Sequence, residues 1–114
     1  MNQHTHSIAA DAVLRLLSDH QRRGVLRRLA DADEPVSVES LTAALVTEST
    51  TADAVRIRLL HSHLPKLHDA GVIDYDADER TVRRGPEFEP VASLLQALSS
   101  HLERASETPL AEDR

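Results

Sequence analysis

Cysteine is absent from the chain, which excludes disulfides, thiolate metal sites and cysteine redox switches together. Lysine is nearly absent as well, Lys66 being the only one among thirteen basic residues. Aromatics are limited to Tyr75 and Phe88, and three glycines are too few for a phosphate-cradling loop. No GxSxG motif and no clustered carboxylate pair is present, so the residues offer no enzyme reading and imply no cofactor. No stretch is apolar for long enough to cross a bilayer, since even Ile8 to Leu17 is interrupted by Asp11 and Arg15. No basic segment precedes an apolar run, so no secretion signal is expected and the chain is expected to be soluble and cytoplasmic.

What is present is carboxylate. Nineteen acidic residues against thirteen basic give a net charge of −6 in a 114-residue chain, long enough for one domain with a modest core. Short carboxylates in excess, scarce lysine and abundant alanine resemble the proteins of salt-accumulating archaea, where dense negative charge keeps a protein hydrated and dispersed. One region departs from the acidic balance: residues 11–30 hold five arginines against two aspartates.

Hydrophobic spacing predicts a mainly helical fold with a small β-hairpin. Residues 1–6 read as a flexible tail. Ser7 is placed to cap a first helix whose apolar face is Ile8, Ala12, Val13, Leu16 and Leu17. Ser18, with Gln21 three residues on, has the capping-box spacing for a second helix that buries Val25, Leu26 and Leu29. After a turn at Asp31 to Pro35, Val36 suits a short strand, and Ser37 caps a third helix facing inward through Val38, Leu41, Ala44 and Leu45. The hydroxyl-rich stretch Thr47 to Thr51 leads to a fourth helix starting between Thr51 and Val55. Ile57, Leu60, Leu64 and Leu67 give that helix a three-four-three apolar face. Pro65 lies within it and either kinks the helix or opens a second piece, the kink being preferred.

Gly71 stands where a left-handed residue ends the fourth helix, and Val72 is placed to pack back on Leu67. Val72 to Asp76 and Thr81 to Arg84 flank the polar turn Ala77 to Arg80 as a hairpin. Residues 7–86 thus read as a winged helix-turn-helix domain. Residues 87–104 form a C-terminal helix, expected from about Glu89 to Arg104, and residues 105–114 form a second flexible tail. Val91, Leu94, Leu95, Leu98 and Leu102 make a stripe on that helix, read as a homodimer seam in preference to simple packing on its own domain.

Leu17-Ser-Asp-His-Gln-Arg-Arg-Gly-Val-Leu-Arg-Arg-Leu29 with Val38-Glu-Ser-Leu41 resembles the opening of ArsR-like archaeal winged-helix regulators. His61-Ser-His-Leu-Pro-Lys-Leu-His-Asp-Ala-Gly-Val-Ile-Asp-Tyr-Asp76 is similar to the most distinctive segment of a haloarchaeal subgroup of these transcriptional regulators. The resemblance covers roughly residues 8–84. It implies a winged helix-turn-helix that binds double-stranded DNA, often as a dimer. Thiolate metal sensing does not carry over, because the cysteines are missing.

Helix four presents Arg58, Ser62, Pro65 and Lys66 opposite its apolar face. Arg58, His61 and Ser62 are therefore the expected base-contacting residues. Lys66 with Arg22, Arg23 and Arg56 is expected at phosphates, and Arg80, Arg83 and Arg84 on the wing at the minor groove or its edges. Asp74, Asp76, Asp78 and Glu79 in the same hairpin would repel phosphate, although in molar salt such forces reach only about 3 Å. They favour the alternative of a winged-helix module that docks a protein partner without binding DNA. The seven histidines suggest no metal site: His61 and His63 diverge on a helix, His61 and His68 are too far apart for one ion, and His4 and His6 lie in the tail. His63 is expected to be partly buried and hydrogen-bonded across the domain.

Overall fold

A computed structural model describes the backbone of residues 9–107 and the side chains of residues 9–101. His4, His6, Ser7, Ile8 and the side chain of Leu102 lie outside the described residues. Helix α1 spans Ala10–Leu17, beginning after Ala9, and α2 spans His20–Asp31. The cap of α2 is Asp19, whose carboxylate accepts from the backbone N–H groups of Gln21 and Arg22 at 2.7 and 3.3 Å. The expected cap, Ser18, instead closes α1, its hydroxyl donating to the Arg15 carbonyl. A carboxylate at this end also complements the positive pole of α2, which explains why aspartate takes the position.

Strand β1 (Val36–Ser37) leads directly into α3 (Val38–Leu45), with the Ser37 hydroxyl capping the Ser40 N–H. Val38, Leu41 and Thr42 are buried, while Ala44, expected inside, is exposed. Thr51 caps α4 (Ala52–Arg58) through the Ala54 N–H. A single π-helical turn, Leu59–His63, joins α4 to α5 (Leu64–Asp69) without breaking the helical path. Proline explains the wide turn. Pro65 has no N–H for the His61 carbonyl and its ring needs room there. The turn widens, and the Leu64 N–H bonds back five residues to Leu59.

The wider turn also resets the helical phase. Each residue advances less around the axis, so positions four apart stay in line. The face that packs inward is Val55, Leu59, His63, Leu64 and Leu67, all buried. The expected face is corrected at its start: Leu60 is half-buried and Ile57 is 58% exposed.

The C-terminal end of α5 matches the glycine stop expected there. Gly71 has φ +80, its N–H bonds to the His68 carbonyl, and the Val72 N–H reaches the Leu67 carbonyl at 3.0 Å. Both bonds together form a Schellman motif, with Val72 buried beside Leu67. Strands β2 (Ile73–Asp76) and β3 (Thr81–Arg84) form the hairpin, and β1 pairs on the far side of β3, giving the antiparallel order β1-β3-β2. Val82 sits opposite both Val36 and Tyr75 and seals the sheet against the helices.

Gly85 then lets the chain cross itself. A Cβ there would lie 2.5 Å from the Gly71 carbonyl oxygen and 2.9 Å from the Ile73 nitrogen. The crossing is tied by Gly85 N–H to Val72 O and Glu87 N–H to Gly71 O, and it launches α6, Phe88–Glu107, three residues beyond the expected end. Phe88, Val91 and Leu95 of α6 join Val25, Leu26 and Leu29 of α2 in the core. Each fully buried leucine contributes about 1.5–3 kcal/mol. Mainly helical with a three-stranded antiparallel sheet, this is a winged helix-turn-helix with an added C-terminal helix.

Candidate nucleic-acid interface

The helix formed by α4, the π turn and α5 is backed by the core on one side and turns its opposite side outward. Arg58, His61 and Lys66 are exposed there with Ile57, while Ser62 and Pro65 are half-buried. None of the Arg58, His61, Ser62 and Lys66 side chains hydrogen-bonds to another described residue. Among the described residues they are therefore uncommitted. Ile57 joins this face only because of the π turn. Sequence reasoning placed it in the core, although Pro65 and the four-residue spacing Val55, Leu59, His63, Leu67 were the signals for a different phase.

The other expected cations have been given structural work. Arg22 is buried, 8% exposed, so it is not available to a phosphate. Its guanidinium donates to the carbonyls of Leu16 and Arg15 at 2.8 and 2.9 Å. Arg23, half-buried, donates to the Leu17 carbonyl at 2.7 Å. These carbonyls belong to the last turn of α1, where a cation also meets the negative helix pole. Arg27 and Arg28 reach the hydroxyls of Ser99 and Ser40. The basic region of residues 11–30 is therefore largely a set of staples.

Arg84 is corrected in the same way. It donates to the carbonyls of Leu29, Ala30 and Ala32 at the end of α2 and lies over the Phe88 ring at 5.5 Å. It fastens the sheet to α2 and is no wing-tip residue. Arg80 and Arg83 are exposed. Arg80 holds φ 56 at the end of the hairpin turn, and its carbonyl accepts from the Val38 N–H. Asp76 shapes the start of the turn by accepting from the Asp78 and Glu79 N–H groups. Asp74, Asp76, Asp78 and Glu79 are all exposed beside these arginines.

Arg56 is paired at the surface. It meets Glu39 in a two-point bond of 3.1 and 2.9 Å and Asp53 at 2.9 Å. The hydrogen bond from Arg56 holds the Glu39 carboxyl below its usual range, and Glu39 in turn raises the guanidinium. Exposed pairs of this kind are weak and exchange readily.

His63 is 2% exposed and is the polar link between α2 and this helix. Its Nε2 lies 2.9 Å from Gln21 Oε1 and its Nδ1 3.3 Å from an Arg22 nitrogen. An amide oxygen and a guanidinium fit one tautomer: Nε2–H donates and bare Nδ1 accepts. Burial is the chief cause that pushes the imidazole below its ordinary pKa. Asp19, 3.8 Å away, opposes, while Arg22, Arg58 and Lys66 push it lower still. For Asp19 itself, partial burial pushes the carboxyl up, but the Gln21 N–H, His63 and Arg22 outweigh it and leave it low. Among the described residues no three histidine or carboxylate side chains gather as a metal site.

The expected dimer seam is divided by the fold. Val91 and Leu95 are buried against α2, and Leu98 packs on the same core. Among the described seam residues only Leu94 remains exposed, at 37%. A four-three-four stripe serves intramolecular packing as well as a seam, and α2 claims it first.

A winged helix-turn-helix with one outward-facing, partly basic helix is the class that fold and site define. Residues 14–83 match the family described as a domain of unknown function, DUF7344, and the chain belongs to it. No curated protein matches the chain, and no solved structure does. No helix among the described residues is long and apolar enough to cross a membrane.

Proposed function

We propose that this chain is a DNA-binding transcriptional regulator, ArsR-like in organisation, acting in the cytoplasm of a halophilic archaeon. The outward face of α4 to α5 carries the proposal: Arg58, His61 and Lys66 are exposed and uncommitted on a helix held rigidly by Val55, Leu59, Leu64 and Leu67. A B-DNA major groove about 12 Å wide admits such a helix. Arg58 and His61 reach base edges, Ser62 borders them, and Lys66 meets phosphate. Arg56 exchanges its carboxylates for phosphate on docking, Arg23 flanks the backbone, and Arg80 and Arg83 follow the groove edge from the wing. Two copies on an inverted repeat belong to this reading, with Leu94, exposed among the described residues of α6, left for the partner.

Chromatin immunoprecipitation of the tagged protein in a halophilic host tests the proposal under native salt. Discrete peaks sharing a short inverted repeat are the expected result. Arg58→Ala is expected to lower occupancy at least about fivefold, the lower end of one base contact. No enrichment with the protein folded and abundant would overturn it in favour of a protein-docking module. The exposed acidic hairpin, Asp74 to Glu79, favours that second reading.

A further inference from the structure

Among the described residues Ile57 is the most exposed large apolar side chain, 58% against 2% for Ile73, the other isoleucine described. The fold gains little from it. An isoleucine 58% exposed buries less than half of its area, and a β-branched side chain is a poorer helix former than alanine or leucine. Its neighbours on the same face are Ala54, Arg58 and His61, all exposed. A branched aliphatic group is thus held by the π turn among the side chains placed to meet base edges, with a small residue beside it that leaves room for close approach.

We propose that Ile57 is a specificity-determining residue that packs on the C5-methyl group of a thymine in the major groove. The inference rests on the DNA reading above and sharpens it. Thymine is the one base that presents a methyl group in that groove. Arg58, next along the helix, takes the adjoining base or phosphate, so the thymine lies within the segment that Arg58 reads. The methyl contact is indifferent to ionic strength, unlike a phosphate contact. It therefore keeps its discrimination where salt is high.

The test starts from a random duplex pool selected on the full chain in concentrated KCl. Each thymine of the recovered sequence is then replaced in turn by deoxyuridine, which lacks only the methyl group. One thymine per half-site is expected to lose about fourfold in affinity on replacement, the worth of one buried carbon. Ile57→Ala is expected to bind the thymine duplex about as weakly as the wild type binds the uracil one, and to make no distinction between them. Ile57→Val is expected to keep the preference. Circular dichroism confirms the fold of each variant. If the pool enriches but uracil is tolerated at every position, or Ile57→Ala keeps the same thymine preference, the inference is overturned while DNA binding stands. If no duplex enriches with folded protein, both fall.

Discussion

A neutral imidazole enclosed by Gln21, Arg22 and Asp19 ties the stability of the molecule to proton concentration. His63 is held below its ordinary pKa of 6.5, chiefly by burial. The unfolded chain therefore takes up this proton first as pH falls. The stability that His63 contributes is full above the unfolded value and is lost as pH drops through 6.5 toward the folded value. Asp19, also lowered, loses its contribution in the same direction but only near the carboxylate range, so the two separate. The thermal midpoint is expected to fall between pH 7.5 and 5.5, and His63→Gln is expected to flatten that dependence while lowering the midpoint at pH 7.5. An equal slope in His63→Gln would show that the pH dependence does not come from His63. Protonation would also set a second cation against Arg22, at the point where α2 holds the outward-facing helix.

At the scale of elements, α6 shows how a stripe of leucines divides its labour. Leu95 is buried against α2 and Leu94 is not. Leu95→Glu places a charge in the core and is expected to cost about 3–5 kcal/mol, a large part of a small domain's stability. Leu94→Glu is expected to leave the melting curve within about 0.5 kcal/mol of wild type and, where two copies associate, to yield a monomer by light scattering in concentrated KCl. Equal losses from both changes would mean that α6 packs on a different face. The positions of the helices, the Gly71 stop, the β1 strand and the hairpin were legible because each depends on local spacing and turn chemistry. The phase of the fourth helix was not. A 3.6-residue wheel cannot show that Pro65 widens the turn before it, and so Ile57, expected on the core face, stands 58% exposed, while His63 is buried and bonded across the domain as expected. Nor does composition tell a free arginine from one that caps a distant helix end: Arg84 and Leu29 are 55 residues apart.

At the scale of the whole molecule, the cations already occupied limit how strongly a polyanion can be held. Eight basic side chains were candidates for DNA, but Arg22 and Arg84 are bound to backbone carbonyls and Arg23 partly so, and Arg56 is paired with Glu39 and Asp53. Of those eight, Arg58, Lys66, Arg80 and Arg83 remain exposed without such partners among the described residues. Affinity for B-DNA falls with salt at a logarithmic slope of about −0.9 for each phosphate neutralised. The four of these candidates left exposed therefore set their share of the slope at about −4 per protomer bound. A net charge of −6 adds repulsion that is already screened in molar KCl, so it changes the affinity more than the slope. Titrating a selected duplex across KCl concentrations checks the limit. A slope near −4 or shallower is expected, and Lys66→Gln should make it shallower by about one. A slope approaching −7 would mean that the capped and paired arginines leave their carbonyls and carboxylates on binding. Freeing Arg22 and Arg84 would open the ends of α1 and α2, so such a slope should come with loosened amide protection in those two helices. With the shallow slope, α1 and α2 stay closed, and discrimination between sequences falls to the base-facing side chains, whose hydrogen bonds and packing survive in salt.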